Sequence, residues 1–514
     1  MMKKRALQII STVLAIIFLV SMPAGVMALA TQTPACNCGY DPVIFVTGIA
    51  SIDIYKNLGS EQETVMFPPS METIKAALAP GTFTDLAKFA ITGNWDYVAD
   101  ALIPVADKVL EDFGCNPDGT PKAGTGIKWS YPPYPIHTPD YAPGFYYDWR
   151  EDPIVLAVEL HDYIEYVCAA TGHDKVNLIA YSMGSICTMT YLERYGYDRV
   201  AGLVLSAAAL NGVSVAGEPF AGNIKFDPVG LVRYIDSMIT HDEQGNLIMS
   251  LLSVLEKVGV IKSLTHITDK IIKQLEDRVY AEVLTPMFGT SLGMWSLLPD
   301  AYYEQAKDLL LSDKQLYAEL IAKADDYHYN VQMRNEEIIN GAIARGIKFG
   351  IILKYNLQGF PIGNSVNNST DTVIDAKYAS FGATVAPLGE TLGKDYVQAV
   401  NCGHNHISPD QKIDASTGSY PEQTWFVRDF VHMRDAWGYD DLINYIFFSP
   451  EQVTVFSDAA RPQFLRLIEK TNTIVPLETK DEAVESPFWG NNSLPVVVFR
   501  LIAAVIALLR VQQV

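Results

Sequence analysis

The residues with the plainest chemical potential lie within 175–195, KVNLIAYSMGSICTMTYLERY. Residues 176–180 form a short apolar run of strand character, and 185–195 carry helix formers. Between them, Ala180, Tyr181, Ser182, Met183 and Gly184 make a small-x-Ser-x-Gly turn. A serine at a tight strand-to-helix corner sits in strained backbone with its oxygen lifted clear of the chain, as a nucleophile requires. Small residues two positions to either side let strand and helix close together. The next N–H, that of Met183, then faces a developing oxyanion at the helix N-terminus. A second textual match, GTSLG at 289–293, has no leading strand and lies between Pro286 and Pro299. Structural context therefore favours Ser182.

The chain around this turn has 514 residues, enough for one large domain with insertions or for two to three domains. It is 49% hydrophobic and 11% aromatic, which supports a sizeable core and excludes a disordered chain. The net charge of −21 disfavours nucleic acid and anionic membranes as partners. Residues 1–30 read as a secretory leader: Lys3, Lys4 and Arg5, an apolar run over 6–20, and Ala28 and Ala30 bracketing a small-residue cleavage site. A secreted or cell-envelope location follows as the expectation. Of the six cysteines, Cys36, Cys38, Cys115, Cys168, Cys187 and Cys402, the first two are too sparse for a zinc site, and Cys187 on the helix after Ser182 reads as a buried apolar side chain.

Stepping outward from the turn, 43–46 is a buried strand by composition, followed by a close-approach loop at Thr47, Gly48, Ile49 and Ala50. The stretch 131–143 holds five prolines and cannot be a regular element. An amphipathic helix is expected over 153–171, opened by Pro153 and closed by Gly172, and a further buried strand over 200–207. Strand, helix and strand joined by short connections predict a mostly parallel sheet covered on both faces. Asp148 and Arg150 read as a buried pair bracing the core rather than as catalytic groups.

Taken in order, DPVIFVTGIAS (41–51), YYDWR (146–150) and LIAYSMGS (178–185) resemble secreted bacterial lipases and the lecithin–cholesterol acyltransferase-like branch of the α/β-hydrolases. The resemblance spans roughly residues 40 to 210 and resumes after 346. It implies an α/β-hydrolase fold with a helical cap insertion. The corresponding division is a leader at 1–30, core at 31–210, cap at 211–345, core again at 346–450, and an extension at 451–514. Within the cap, helical stretches such as 227–240, 247–258 and 309–324 are expected. MWSLLPD (294–300) resembles a segment of acyltransferase-like caps, and the region is expected to be a lid presenting apolar surface to a lipidic substrate, the alternative being a helical subdomain with its apolar faces buried. The resemblance also assigns the second oxyanion N–H to the loop after the first strand, with Ile49 the candidate.

A serine hydroxyl needs an imidazole to take its proton and a carboxylate to fix the imidazole. Three of the nine histidines precede Ser182 and three more, His241, His266 and His328, fall in the expected cap, so the family's order of serine, acid, histidine leaves His404, His406 and His432. His432 ends the strand-like run 424–431, ahead of a helix at 440–448, and is preferred. His404 and His406 follow a weaker strand at 395–400 and stay open. The acid is Asp371, in STDTVIDAKYAS, which looks like the family's Ser-x-Asp-Gly-x-Val loop with Thr372 in place of the glycine. Asp410, in SPDQKIDAS, is its rival, while Asp375 and Asp414 suit caps or turns.

His404 and His406 lie close enough to suggest a metal, but no carboxylate stands at ligand spacing, and neither metal nor cofactor is expected. The apolar run at 495–509 is short of a membrane span and suits contact with a membrane interface or partner. The expected function is cleavage of carboxylic esters, lipid acyl esters foremost. Acyl transfer by the same residues, or a non-catalytic binding protein that keeps the fold, are the alternatives.

Overall fold

The computed structural model describes residues 40–77, 80–92, 94, 96–110, 112–131, 144–238, 249, 252 and 275–478. The expected leader at 1–30, Cys36 and Cys38, residues 132–143 of the proline-rich stretch, most of 247–258 and the apolar run at 495–509 lie outside them. Among the described residues no helix is long and apolar enough to cross a membrane.

Eight strands form the central sheet: β1 Val43–Val46, β2 Gly144–Phe145, β3 Val176–Tyr181, β4 Val200–Ser206, β5 Lys348–Tyr355, β6 Thr424–Arg428, β7 Phe464–Ile468 and β8 Thr473–Pro476. They lie in the order β8-β7-β6-β5-β4-β3-β1-β2. Every neighbouring pair is parallel except β7 and β8. A parallel sheet is buried on both faces, so its strands read as near-continuous apolar runs. In β5, everything from Phe349 to Tyr355 is buried, one lysine included.

Strand periodicity divides these side chains between two cores. Ile44, Leu178, Ala180, Leu203, Ile351 and Phe426 face one, which is packed by helices α1 Pro153–Thr171 and α2 Gly184–Tyr195. Val43, Ile179, Val204, Ile352 and Trp425 face the other, covered by α3 Tyr439–Phe448. Helix α1 begins at Pro153 behind an Asp152 cap that accepts from Ile154 N, and ends at Gly172 with φ 70°. Helix α3 seats tightly because a Cβ at Gly350 would fall 2.7 Å from Ile446.

Between β4 and β5 every described element is helical, including Ser214–Phe220, Pro228–Met238, Tyr280–Phe288, Asp300–Leu310, Ala318–Asn330 and Asn335–Ile343. This region has a core of its own. Trp295 and Tyr303, each 1% exposed, meet edge to face at 5.9 Å, and Trp295 meets Phe220 at 5.6 Å. Trp295 Nε1 donates to Gly289 O, and Tyr303 stacks on His328. These two aromatics thus help hold the helical region together.

Two local expectations need correction. The helix expected across 309–324 is broken: Asp300–Leu310 stops, and Asp313 Oδ1 accepts from Gln315 and Leu316 N before Ala318–Asn330 starts. An aspartate that satisfies nearby N–H groups competes with helix continuation. Residues 395–400 form no strand, because Ala399 N is taken by Asp414 Oδ2 and Val400 N by Ser416 Oγ.

Candidate active site

Ser182 follows the last residue of β3 and adopts φ 54°, the left-handed region that non-glycine residues enter only under constraint. The constraint is visible on both sides. Ser182 N donates to Ser206 O at the end of β4, and its carbonyl accepts from Ser185 Oγ at 2.6 Å. Gly184 meets the end of β1 so closely that a Cβ there would lie 2.1 Å from Val46 O. Gly48 approaches the serine itself, since its Cβ would stand 2.9 Å from Ser182 Cβ and 3.3 Å from Oγ. The small residues of the two loops are therefore required by contact.

His432 Nε2 lies 3.0 Å from Ser182 Oγ, and its Nδ1 lies 2.7 Å from Asp371 Oδ2. Asp371 in turn accepts from Val373 N at 3.0 Å and Ile374 N at 2.7 Å through its other oxygen, which leaves Oδ2 aimed at the imidazole. The main chains are joined too, His432 N donating to Asp371 O at 2.7 Å. With Nδ1 donating to the carboxylate, Nε2 carries the lone pair toward the serine. All three side chains are buried: Ser182 is 4% exposed, His432 2% and Asp371 1%. The oxygen expected to stand clear of the chain thus belongs to a covered residue.

The backbone N–H groups of Met183 and Ile49 find no acceptor among the described residues. Met183 is fully buried at the start of α2, and Ile49 follows the glycine that touches Ser182.

The rival residues are engaged elsewhere. Asp410 accepts from Ser408 Oγ at 2.6 Å and Tyr355 Oη at 3.1 Å, and pairs with the buried Arg428. Asp375 accepts from Ser214 N, and Asp414 caps Ser416. His406 is held by Gln463, and His404 stands beside Glu422. Ser291, in the second textual motif, is a buried helix cap whose hydroxyl donates to Arg150 O. Arg150 itself is wholly buried, forked onto Asp148 at 2.9 and 2.7 Å and bonded to Phe113 O, as its structural reading expects.

Residues 140–255, which contain Ser182 and its flanking elements, match the family model described as the alpha/beta hydrolase fold. No curated protein matches the chain. The chain has the α/β-hydrolase fold. The matched span and the mostly parallel sheet flanked by helices agree on this point, and hydrolysis is the general activity that the fold supports.

Two contributors to this α/β-hydrolase site were not singled out from the sequence, and a third was marked only as part of a close-approach loop. The Tyr181 ring stacks on the His432 imidazole at 5.2 Å, and its hydroxyl donates to His432 O. Lys354, in β5, donates to the carbonyls of Val431, His432 and Arg434 at 3.2, 2.8 and 3.2 Å. Burial pulls its ammonium down to about 8, with Asp371 and Asp435 acting in the opposite sense. Its charge also sits 3.9 Å over the Phe430 ring. Gly48 is the third. A lone lysine within GIILKY was the only sequence sign of the second.

Proposed function

We propose that the protein is an exported serine hydrolase that cleaves carboxylic esters, with lipid acyl esters as its substrate class. The observation that carries this reading is the buried imidazole of His432, bonded at once to a serine and to a carboxylate. Export rests on the leader-like residues 1–30, and the lipid class on the likeness of 41–51, 146–150 and 178–185 to lipases.

In this reading Ser182 Oγ attacks the ester carbonyl carbon while His432 Nε2 takes the hydroxyl proton. The imidazolium is stabilised by Asp371. The tetrahedral oxyanion is met by the N–H groups of Met183 and Ile49, whose hydrogen-bonding capacity is otherwise unspent. His432 returns the proton to the leaving alkoxide, which departs as the alcohol. A water molecule then repeats the sequence on the acyl-serine, giving the acid and free Ser182.

The test is labelling by a fluorophosphonate alongside hydrolysis of nitrophenyl esters of graded acyl length. Stoichiometric labelling that is lost in Ser182→Ala, with turnover, supports the enzyme. A folded wild-type chain that takes no label and turns over no ester points instead to a binding protein that retains the fold.

A further inference from the structure

A second cluster of reactive side chains lies away from Ser182. Cys402, His404 and His406 each offer a ligand atom, and these atoms lie within 4.8 Å of one another. Residues 402–406 read CGHNH, and Gly403 turns the chain with φ 85° so that the three side chains converge. Gln398 braces the turn, accepting from His406 N at 2.7 Å and donating to His404 O at 3.0 Å.

Each imidazole has an oxygen neighbour on its Nδ1 side, closely for His406 and more loosely for the exposed His404. His406 is fully buried, and its Nδ1 lies 2.8 Å from Gln463 Oε1, an acceptor, so Nδ1 carries the proton. Its Nε2 is then a buried lone pair, and it has no hydrogen-bond partner. An unmet acceptor of this kind costs free energy unless something binds it. His404 Nδ1 stands 3.6 Å from Glu422 Oε1, which orients that ring as well. Imidazole ligands characteristically give one nitrogen to an outer acceptor and the other to a metal. Phe456 packs against both rings, at 4.3 and 5.3 Å.

We propose that Cys402, His404 and His406 bind a single zinc-class divalent cation, with a fourth position open to solvent. One sulfur and two imidazole nitrogens suit a borderline-soft ion and disfavour calcium or magnesium, which take oxygen. Binding removes the Cys402 thiol proton to solvent and leaves a thiolate–metal bond, with no change of oxidation state. The site is structural. It ties the 398–406 turn to Glu422, just before β6, and to Gln463, just before β7. It thereby fixes the start of the strand whose far end leads to His432. No carboxylate at ligand spacing flags it in the sequence, because Glu422 and Gln463 arrive from distant positions and act on the outer side of the rings.

The test uses the full chain, stripped with a chelator and titrated with Zn2+ alone, with Ca2+ as control. One equivalent of Zn2+ is expected, together with a rise in the thermal midpoint that chelator reverses. Co2+ in its place should give a thiolate-to-cobalt charge-transfer absorption. Cys402→Ser should abolish that absorption and weaken Zn2+ at least 100-fold, and His404→Ala should weaken it comparably. Both residues are exposed, so these variants fold. Glu422→Gln should cost about tenfold through the outer shell. Zinc affinity unchanged in Cys402→Ser, no retained equivalent in the wild type, or Cys402 found in a disulfide each overturns the proposal.

Discussion

The ammonium of Lys354 lies 2.8 Å from the main-chain carbonyl oxygen of His432. The same cation reaches the carbonyls of Val431 and Arg434, so one buried charge gathers the turn that presents the imidazole. Replacing it with Met keeps the volume and removes the clamp. Lys354→Met is expected to lower kcat about tenfold with little change in KM, since the imidazole is positioned less well and substrate contacts are untouched. Steady-state kinetics on a nitrophenyl ester decides this, and an unchanged kcat refutes it.

The same lysine gives a pH-dependent stability. Its folded value is about 8, whereas a free lysine titrates near 10.4. Between these two values the unfolded chain holds the proton and the folded chain has released it. The contribution to stability therefore rises with pH across that window and is lowest below it. Relative to Lys354→Met, the wild type should gain roughly 3 kcal/mol between pH 8 and pH 10.4. Urea unfolding of both proteins at the two ends of that range measures the difference, and the shared tyrosines cancel. A flat difference removes the argument.

Ser182→Ala, His432→Ala and Asp371→Asn should each reduce ester hydrolysis by roughly 10³-fold or more, and the double variants should be little worse than the singles. Losses that multiply would mean that the three side chains do not act as one unit.

Gly48→Ala places a methyl group 2.9 Å from Ser182 Cβ, a separation that cannot persist. The loop must withdraw from the serine and carry the Ile49 N–H with it. About a hundredfold loss in kcat is expected, the scale of losing one oxyanion donor, with the circular dichroism spectrum unaltered. Normal turnover would show that this loop takes no part.

Thr372 adopts φ 91°, where a β-branched residue is strained. Thr372→Gly should raise unfolding free energy by about 1 kcal/mol, net of the greater freedom of glycine in the unfolded chain. The denaturant midpoint is the measure, and a fall would show that the threonine side chain more than offsets its backbone cost.

The parallel sheet was readable because its central strands are buried on both faces and so carry mostly apolar runs: VIFV, NLIA and GIILKY leave little choice. Ser182 was readable for a different reason, since its corner tolerates only small neighbours. The structure then brings His432 and Asp371 to it from 250 and 189 positions along the chain, distances over which order, a strand-like run ahead of the histidine and a loop motif around the acid were the sequence guides. Tyr181 and Lys354 escaped because their roles are contacts with distant main chain, which leave no periodic trace. The helical region between β4 and β5 was legible as helix. Which face of it Trp295 and Tyr303 occupy was not, for an aromatic cluster looks the same in sequence whether it fills a core or lines a cleft.

The reversal at the sheet edge has a consequence for how the molecule is held. Strands β1 to β7 all point the same way, toward Ser182 and His432, but β8 doubles back until Pro476 lies level with Leu465. Chain enters the described body at Tyr40, just ahead of β1, and leaves it at Glu478, just beyond β8. Both points are thus at the pole remote from Ser182 and His432. A tether attached to either one would grip the molecule from behind and leave the serine pole facing outward.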